Sequence, residues 1–196
     1  MDDNISKIFE DWENHKLRNN RPFINFTFEN IDLSWYDISY VKDSFCNIKK
    51  ILDIISEDNQ NNIILHINDN IETKDYLEQN KFLLNRISNI TNKEKGKYYG
   101  NCSYKQLLEI VYGSITWEFP YVYKNDEECN NNTLSQDLLI EFPEKKLYFY
   151  IYDCRGGILV SGTNNKESLK SIFSKTKDLD LFNEYWYTNM IASIDL

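Results

Sequence analysis

Three consecutive residues, Asp153, Cys154 and Arg155, set an acid, a thiol and a guanidinium side by side in the stretch "LYFYIYDCRGGILVSG" (Leu147 to Gly162). Such groups serve nucleophilic and acid–base catalysis, but they also build tight turns. An Asp at the first position of a type I turn accepts from backbone N–H groups two residues on. A Gly at the fourth position, here Gly156, can adopt the left-handed conformation that a bulged hairpin needs. Turn chemistry therefore accounts for Asp153 and Gly156. It accounts less well for Arg155, which either anchors the turn to a neighbouring carboxylate or points to a ligand.

The other reactive side chains are scattered. The two histidines, His15 and His66, lack the spacing of a metal pair, and a metal needs three or four converging ligands. No metal and no cofactor are expected. His66 sits in the apolar run "NNIILHIN" and reads as a hydrogen-bonded core residue, although a Cys154–His66 dyad needs only closeness in space. Cys46, Cys102, Cys129 and Cys154 form no C-x-x-C pair and read as reduced thiols, buried or incidental. Nucleophile-elbow, phosphate-loop and dinucleotide motifs are missing. No catalytic residue is assigned. An enzyme whose site assembles from Asp153, Arg155 and His66 stays open as a competing reading, which a deep pocket holding the three would favour.

Charge carries more weight. The chain has 31 Asp and Glu against 22 Lys and Arg, a net charge of −9, and a pI near 4.8. Nucleic-acid binders need clustered cations, whereas the lysines here come in short patches broken by acids, such as "NKEKGK". An acidic domain suits a basic protein partner, because opposite potentials speed encounter. The same charge also serves plain solubility. The densest acidic run, Asp126, Glu127 and Glu128, is the best candidate contact patch. Tyr148 and Tyr150 are the second candidate, should they face solvent.

These groups need a scaffold, and 196 residues with 41% hydrophobic and 15% aromatic content are enough for one folded domain over 1–196. Ile5, Ile8, Phe9 and Trp12 follow a helical stripe. "RPFINFTF" alternates as a strand. A second stripe, Val41, Phe45, Ile48, Leu52 and Ile55, marks a helix from about Asp37 to Ser56, and "NNIILHIN" is a central strand. Residues 72–90 suggest a short helix and then a strand near Phe82 to Ile87. Ser103 with Gln106 three positions on forms a capping box before the stripe Leu107, Leu108, Val111 and Ile115. Trp117 to Asp137 reads as an exposed loop with a short strand at Tyr121 to Tyr123.

A strand at Asp137 to Phe142 precedes the hairpin, where Leu147, Phe149 and Ile151 face one way and Tyr148, Tyr150 and Tyr152 the other. Asn164 with Glu167 starts a helix carrying Leu169, Ile172 and Phe173. A last helix is expected through Leu181, Phe182, Tyr185, Trp186 and Met190. The sum is a single α+β domain, a mostly antiparallel sheet with helices packed on it. No apolar run is long enough to cross a membrane. The opening "MDDNISKIFEDWENHK" lacks the basic start of a secretory signal, so a cytoplasmic location is expected.

The second half resembles a bacterial family known as domain of unknown function 3885. The resemblance lies in "SYKQLLEIVYGSITWEFPYVY" and in "LYFYIYDCRGGILVSGTNNKESLKSIFSK", and covers about residues 103 to 190. Within the latter, Tyr152, Asp153, Arg155 and Gly156 match the family's Tyr-Asp-Asp-Arg-Gly turn. Cys154 replaces the second Asp, which weakens any paired-acid site there, and "LDLFNEYWY" departs from the family's usual aromatic–acid segment. The resemblance implies a small cytosolic immunity protein that binds and neutralises a cognate toxin domain, for instance a basic nuclease, without catalysis. A homodimeric interaction module formed through the tyrosines is the remaining alternative. Either a monomer or a homodimer fits.

Overall fold

The computed structural model describes residues 7–11, 14, 16–18, 21–30, 38–57, 62–68, 88–94, 97–117, 137–153, 155–163, 166–177 and 186–192. Their elements are β1 (Phe23–Asn30), α1 (Ile38–Ser56), β2 (Ile63–Asn68), β3 (Ser88–Glu94), β4 (Lys97–Cys102), α2 (Tyr104–Trp117), β5 (Asp137–Phe142), β6 (Leu147–Asp153), β7 (Gly156–Ser161), α3 (Glu167–Lys177) and β8 (Trp186–Ala192). The strands form one eight-stranded sheet in the order β3-β4-β2-β5-β6-β7-β1-β8. Every neighbouring pair is antiparallel. The fold is α+β.

Period-two alternation gives the sheet two apolar faces. On the first, Ile24, Phe26, Phe28, Ile63, Leu65, Ile140, Leu147, Phe149 and Leu159 are buried against the three helices. The helical stripes supply the other half: Ile48, Leu52 and Ile55 of α1, Leu107 and Val111 of α2, and Leu169 of α3 are all fully buried. Each such side chain contributes about 1.5–3 kcal/mol by leaving water, so this layer holds most of the stability.

Helix ends are fixed by local polar groups. At the start of α2 the Gln106 side chain accepts from the Ser103 N–H at 2.8 Å, and the Ser103 hydroxyl accepts from the Gln106 N–H at 3.3 Å. This is the reciprocal capping box expected from the spacing. At the end of α1, Lys145 donates to the Ile55 carbonyl at 2.7 Å. Lys175 also pairs with Glu57 there, placing cations where the helix dipole is negative. The Tyr104 hydroxyl donates to Asp53, tying α2 to α1. Burial first, and that carboxylate second, push its ionisation well above the usual phenol range.

One expectation needs correction. Trp186 to Ala192 is a strand, not part of a last helix: it pairs with β1 from Ile24↔Ala192 to Asn30↔Trp186. Aromatic residues at helical spacing misled there, because Trp, Tyr, Thr and Ile also suit a strand, and an open sheet edge decided the matter. Within the "NKEKGK" stretch, on which the sequence pattern had given no element, Glu94 of β3 stands opposite Lys97 of β4. The strand expected near Phe82 to Ile87, the loop and short strand between Trp117 and Asp137, and Leu181 to Tyr185 lie outside the described residues.

Cys46 and Cys102 are free thiols, the first exposed and the second buried. Burial pushes the Cys102 thiol up to about 12, and the thiolate is the reactive form. Iodoacetamide at pH 8 is therefore expected to label Cys46 and spare Cys102 at least 100-fold, as read by peptide mass mapping. Equal labelling would mean that β4 opens freely.

Candidate functional site

The second face of the sheet gathers the groups with chemical potential. Registers align one row of residues as His66–Leu139–Tyr150–Ile158–Asn25, and the next as Ile64–Glu141–Tyr148–Val160–Phe23. His66 and Glu141 are thus diagonal neighbours on adjacent strands, close enough for their side chains to meet. They do: His66 Nε2 lies 2.8 Å from Glu141 Oε2, both residues at least nine-tenths buried. The hydrogen bond is available whether the imidazole is neutral or protonated. Above it lies the Phe9 ring, its centroid 4.5 Å from that of His66 and tilted by 49°.

The cover comes from the N-terminal segment. Residues 7–11 are helical, and Ile8, with Leu17 farther on, packs into a second cluster with Leu139, Tyr148, Tyr150, Ile158 and Val160. Asp11 is 7% exposed. Its carboxylate is ion-paired with Arg21 Nη1 at 2.6 Å and accepts from Lys7 at 3.1 Å. Burial opposes its charge, but the hydrogen bonds and charges of Arg21 and Lys7 together outweigh that and hold the carboxyl below the usual carboxylate range. Exposed Lys7 counts for less than Arg21, since water screens it.

A carboxyl that binds its proton less readily folded than unfolded stabilises the fold above the unfolded value, near pH 4. That contribution vanishes as pH falls through the lower folded value. Asp11→Asn is therefore expected to lose about 1–2 kcal/mol in urea unfolding at pH 7, and the gap to the wild type should close toward pH 2. A gap independent of pH would rule out the ion pair as its cause.

The residues singled out from sequence fall in three places. Tyr148 and Tyr150 are 4% and 9% exposed, so the packed alternative holds. They do not form an exposed contact strip or dimer face, because Ile8 and Leu17 pack over them. Tyr152, Asp153, Arg155 and Gly156 sit at the β6–β7 turn, where Asp153 opposes Gly156 after a register shift. Gly156 has a positive φ of 148°, the glycine-only territory expected, though extended rather than left-handed helical. Arg155 is exposed, and its carbonyl accepts from the Phe28 N–H at 2.7 Å, locking the turn to β1. Asp126, Glu127, Glu128 and Cys154 lie outside the described residues.

The structure does not assemble Asp153, Arg155 and His66 into one site. The whole of β5 stands between β2 and the β6 hairpin, roughly 10 Å across two strand spacings, and the partner of His66 is Glu141. Sequence reading missed Glu141, although the signal was there: a single acid among apolar residues in "DLLIEF". A cleft lined by Ile55, Asn62, Phe142, Glu144 and Lys145 has room for one water. Among the described residues no three His, Cys, Asp or Glu side chains converge as metal ligands, and no helix is long and apolar enough to cross a membrane.

The arrangement joins a buried imidazole to a buried carboxylate on the second face of the sheet. Compared with known proteins, the chain matches no family model, no curated sequence and no solved structure.

Proposed function

We propose that the chain is an immunity-type protein, a non-catalytic domain that binds and neutralises a cognate bacterial toxin through an acidic surface. The observation that carries this reading is the net charge of −9. A negative field draws in a basic partner, such as a nuclease domain, and can occupy the surface where phosphates would otherwise bind. The resemblance of the Tyr152–Gly156 turn and its flanks adds the direction, and a cytoplasmic location follows from the role. The acidic run Asp126, Glu127 and Glu128 is the first candidate contact.

Co-expression with a candidate toxin taken from the neighbouring genes is the test. Co-purification and protection of the cells are expected, and failure of both removes the proposal. In the complex, the combined substitutions Asp126→Asn, Glu127→Gln and Glu128→Gln should slow association about tenfold at low salt and flatten its salt dependence. Unchanged association would exclude this run as the contact.

The His66–Glu141 bond favours one second reading. A His–carboxylate pair is the core of many acid–base sites, so an enzyme would centre there, with substrate entering past Phe9. His66→Asn would then abolish turnover while sparing toxin binding.

A further inference from the structure

The residues of β2 say little about which way the strand faces. Its sequence, IILHIN, places Ile63, Leu65 and Ile67 on one parity and Ile64 on the other, with His66 as the one polar residue before Asn68. Ile63 and Leu65 are fully buried on the helix side. A one-residue slip turns a strand over, and the hydrophobic pattern normally forbids it. A run that is apolar on both faces opposes that slip only weakly. No hairpin fixes the strand either. Its neighbours in the sheet are β4 and β5, whereas along the chain it follows α1 and precedes β3.

The facing of β5, in contrast, is set by its hairpin. Phe142 pairs with Leu147 across the turn Pro143–Lys146. Within that turn the Lys145 N–H donates to the Phe142 carbonyl and the Lys146 N–H to the Pro143 carbonyl, each at 3.2 Å. Lys146 takes a left-handed φ of 51°. Glu141 therefore stands at a fixed position on the second face, opposite Tyr148. His66 reaches it in one facing only, the observed one, where Nε2 lies 2.8 Å from Glu141 Oε2. With β2 turned over, His66 would enter the apolar helix layer and Glu141 would stay buried without this partner. Either group buried alone carries its full desolvation penalty, while exchanging one apolar residue for another in the same move costs little.

We infer that the His66–Glu141 pair selects which face of β2 turns to the helices, admitting the strand between β4 and β5 in the observed orientation and rejecting the inverted one. The role concerns assembly of the sheet and stands apart from toxin binding.

The test replaces the pair in the full chain by apolar residues, His66→Leu with Glu141→Met, and reads β2 by NMR. Turning the strand over requires both of its ladders to break, so the two facings exchange slowly and give separate resonances. The wild type is expected to show one set, with Leu65 contacting its register partners Gly100 and Ile140. The apolar variant should show a second set at about 10%, in which Leu65 loses those partners. A single set with the native contacts would overturn the inference. So would an apolar variant that no longer folds, because the pair would then supply stability and not choice. His66→Glu with Glu141→His exchanges the ends of the pair and should restore a single set, and two sets in that variant would equally overturn the inference.

Discussion

Phe149→Ala is expected to lower the stability of the protein by about 3–5 kcal/mol. Phe149 is fully buried at the middle of β6. Its strand partners there are Ile140 of β5 and Leu159 of β7, and its ring meets Phe26 edge-on at a centroid distance of 6.1 Å and 83°. Truncation removes the transfer free energy of the ring and leaves a void that flanking strands cannot close, because hydrogen-bonded ladders fix their spacing. For a chain of this length the loss corresponds to roughly 10–15 °C in melting temperature, measurable by circular dichroism. A drop below about 1 kcal/mol would show that the helix layer relaxes into the space.

The second large effect comes from adding a single carbon. A Cβ on Gly157 would sit 2.6 Å from the Tyr150 carbonyl oxygen, 2.8 Å from Phe149 Cε2 and 3.0 Å from its Cζ. A flexible side chain could yield, but the carbonyl belongs to the adjacent strand, so Gly157→Ala must push β6 and β7 apart. About 3 kcal/mol of destabilisation is expected, at the high end for overpacking. The two substitutions should couple. Phe149→Ala frees the ring's share of the clash and leaves the carbonyl's, so the double variant should fall short of the sum by about 1 kcal/mol. Strict additivity would place the whole clash on the backbone.

Much of this scaffold was legible from residue order, for reasons that can be named. Where local propensity and burial pattern agree, as in Ile48-Leu52-Ile55 or the Ser103–Gln106 box, the element is determined before tertiary contacts form. The hairpin was readable for the same reason: alternation in "LYFYIY" sends Phe149 to the helices and Tyr150 to the other face. Trp186 to Ala192 was not, because its residues satisfy either period and only the free edge of β1 chooses between them. The candidate site was harder still. His66 was visible as a polar residue in an apolar strand, but the bond to Glu141 spans 75 positions and depends on strand order. Glu141 becomes meaningful only once β2 and β5 are known neighbours. The burial of Tyr148 and Tyr150 likewise depends on where Ile8 and Leu17 come to rest, which no local pattern encodes.

The placement of β1 between β7 and β8 has a consequence for biosynthesis. Both of its ladders are supplied by the final quarter of the polypeptide, so the aromatic segment Phe23 to Phe28 leaves the ribosome with neither neighbour made. Some 125 residues separate Asn30 from Gly156, the first residue of β7, and at 5–20 residues per second the wait is roughly 6–25 s. For that interval the nascent chain exposes a sticky, unpaired strand. Production of this protein should therefore respond to translation speed and chaperone supply more than its finished stability would suggest.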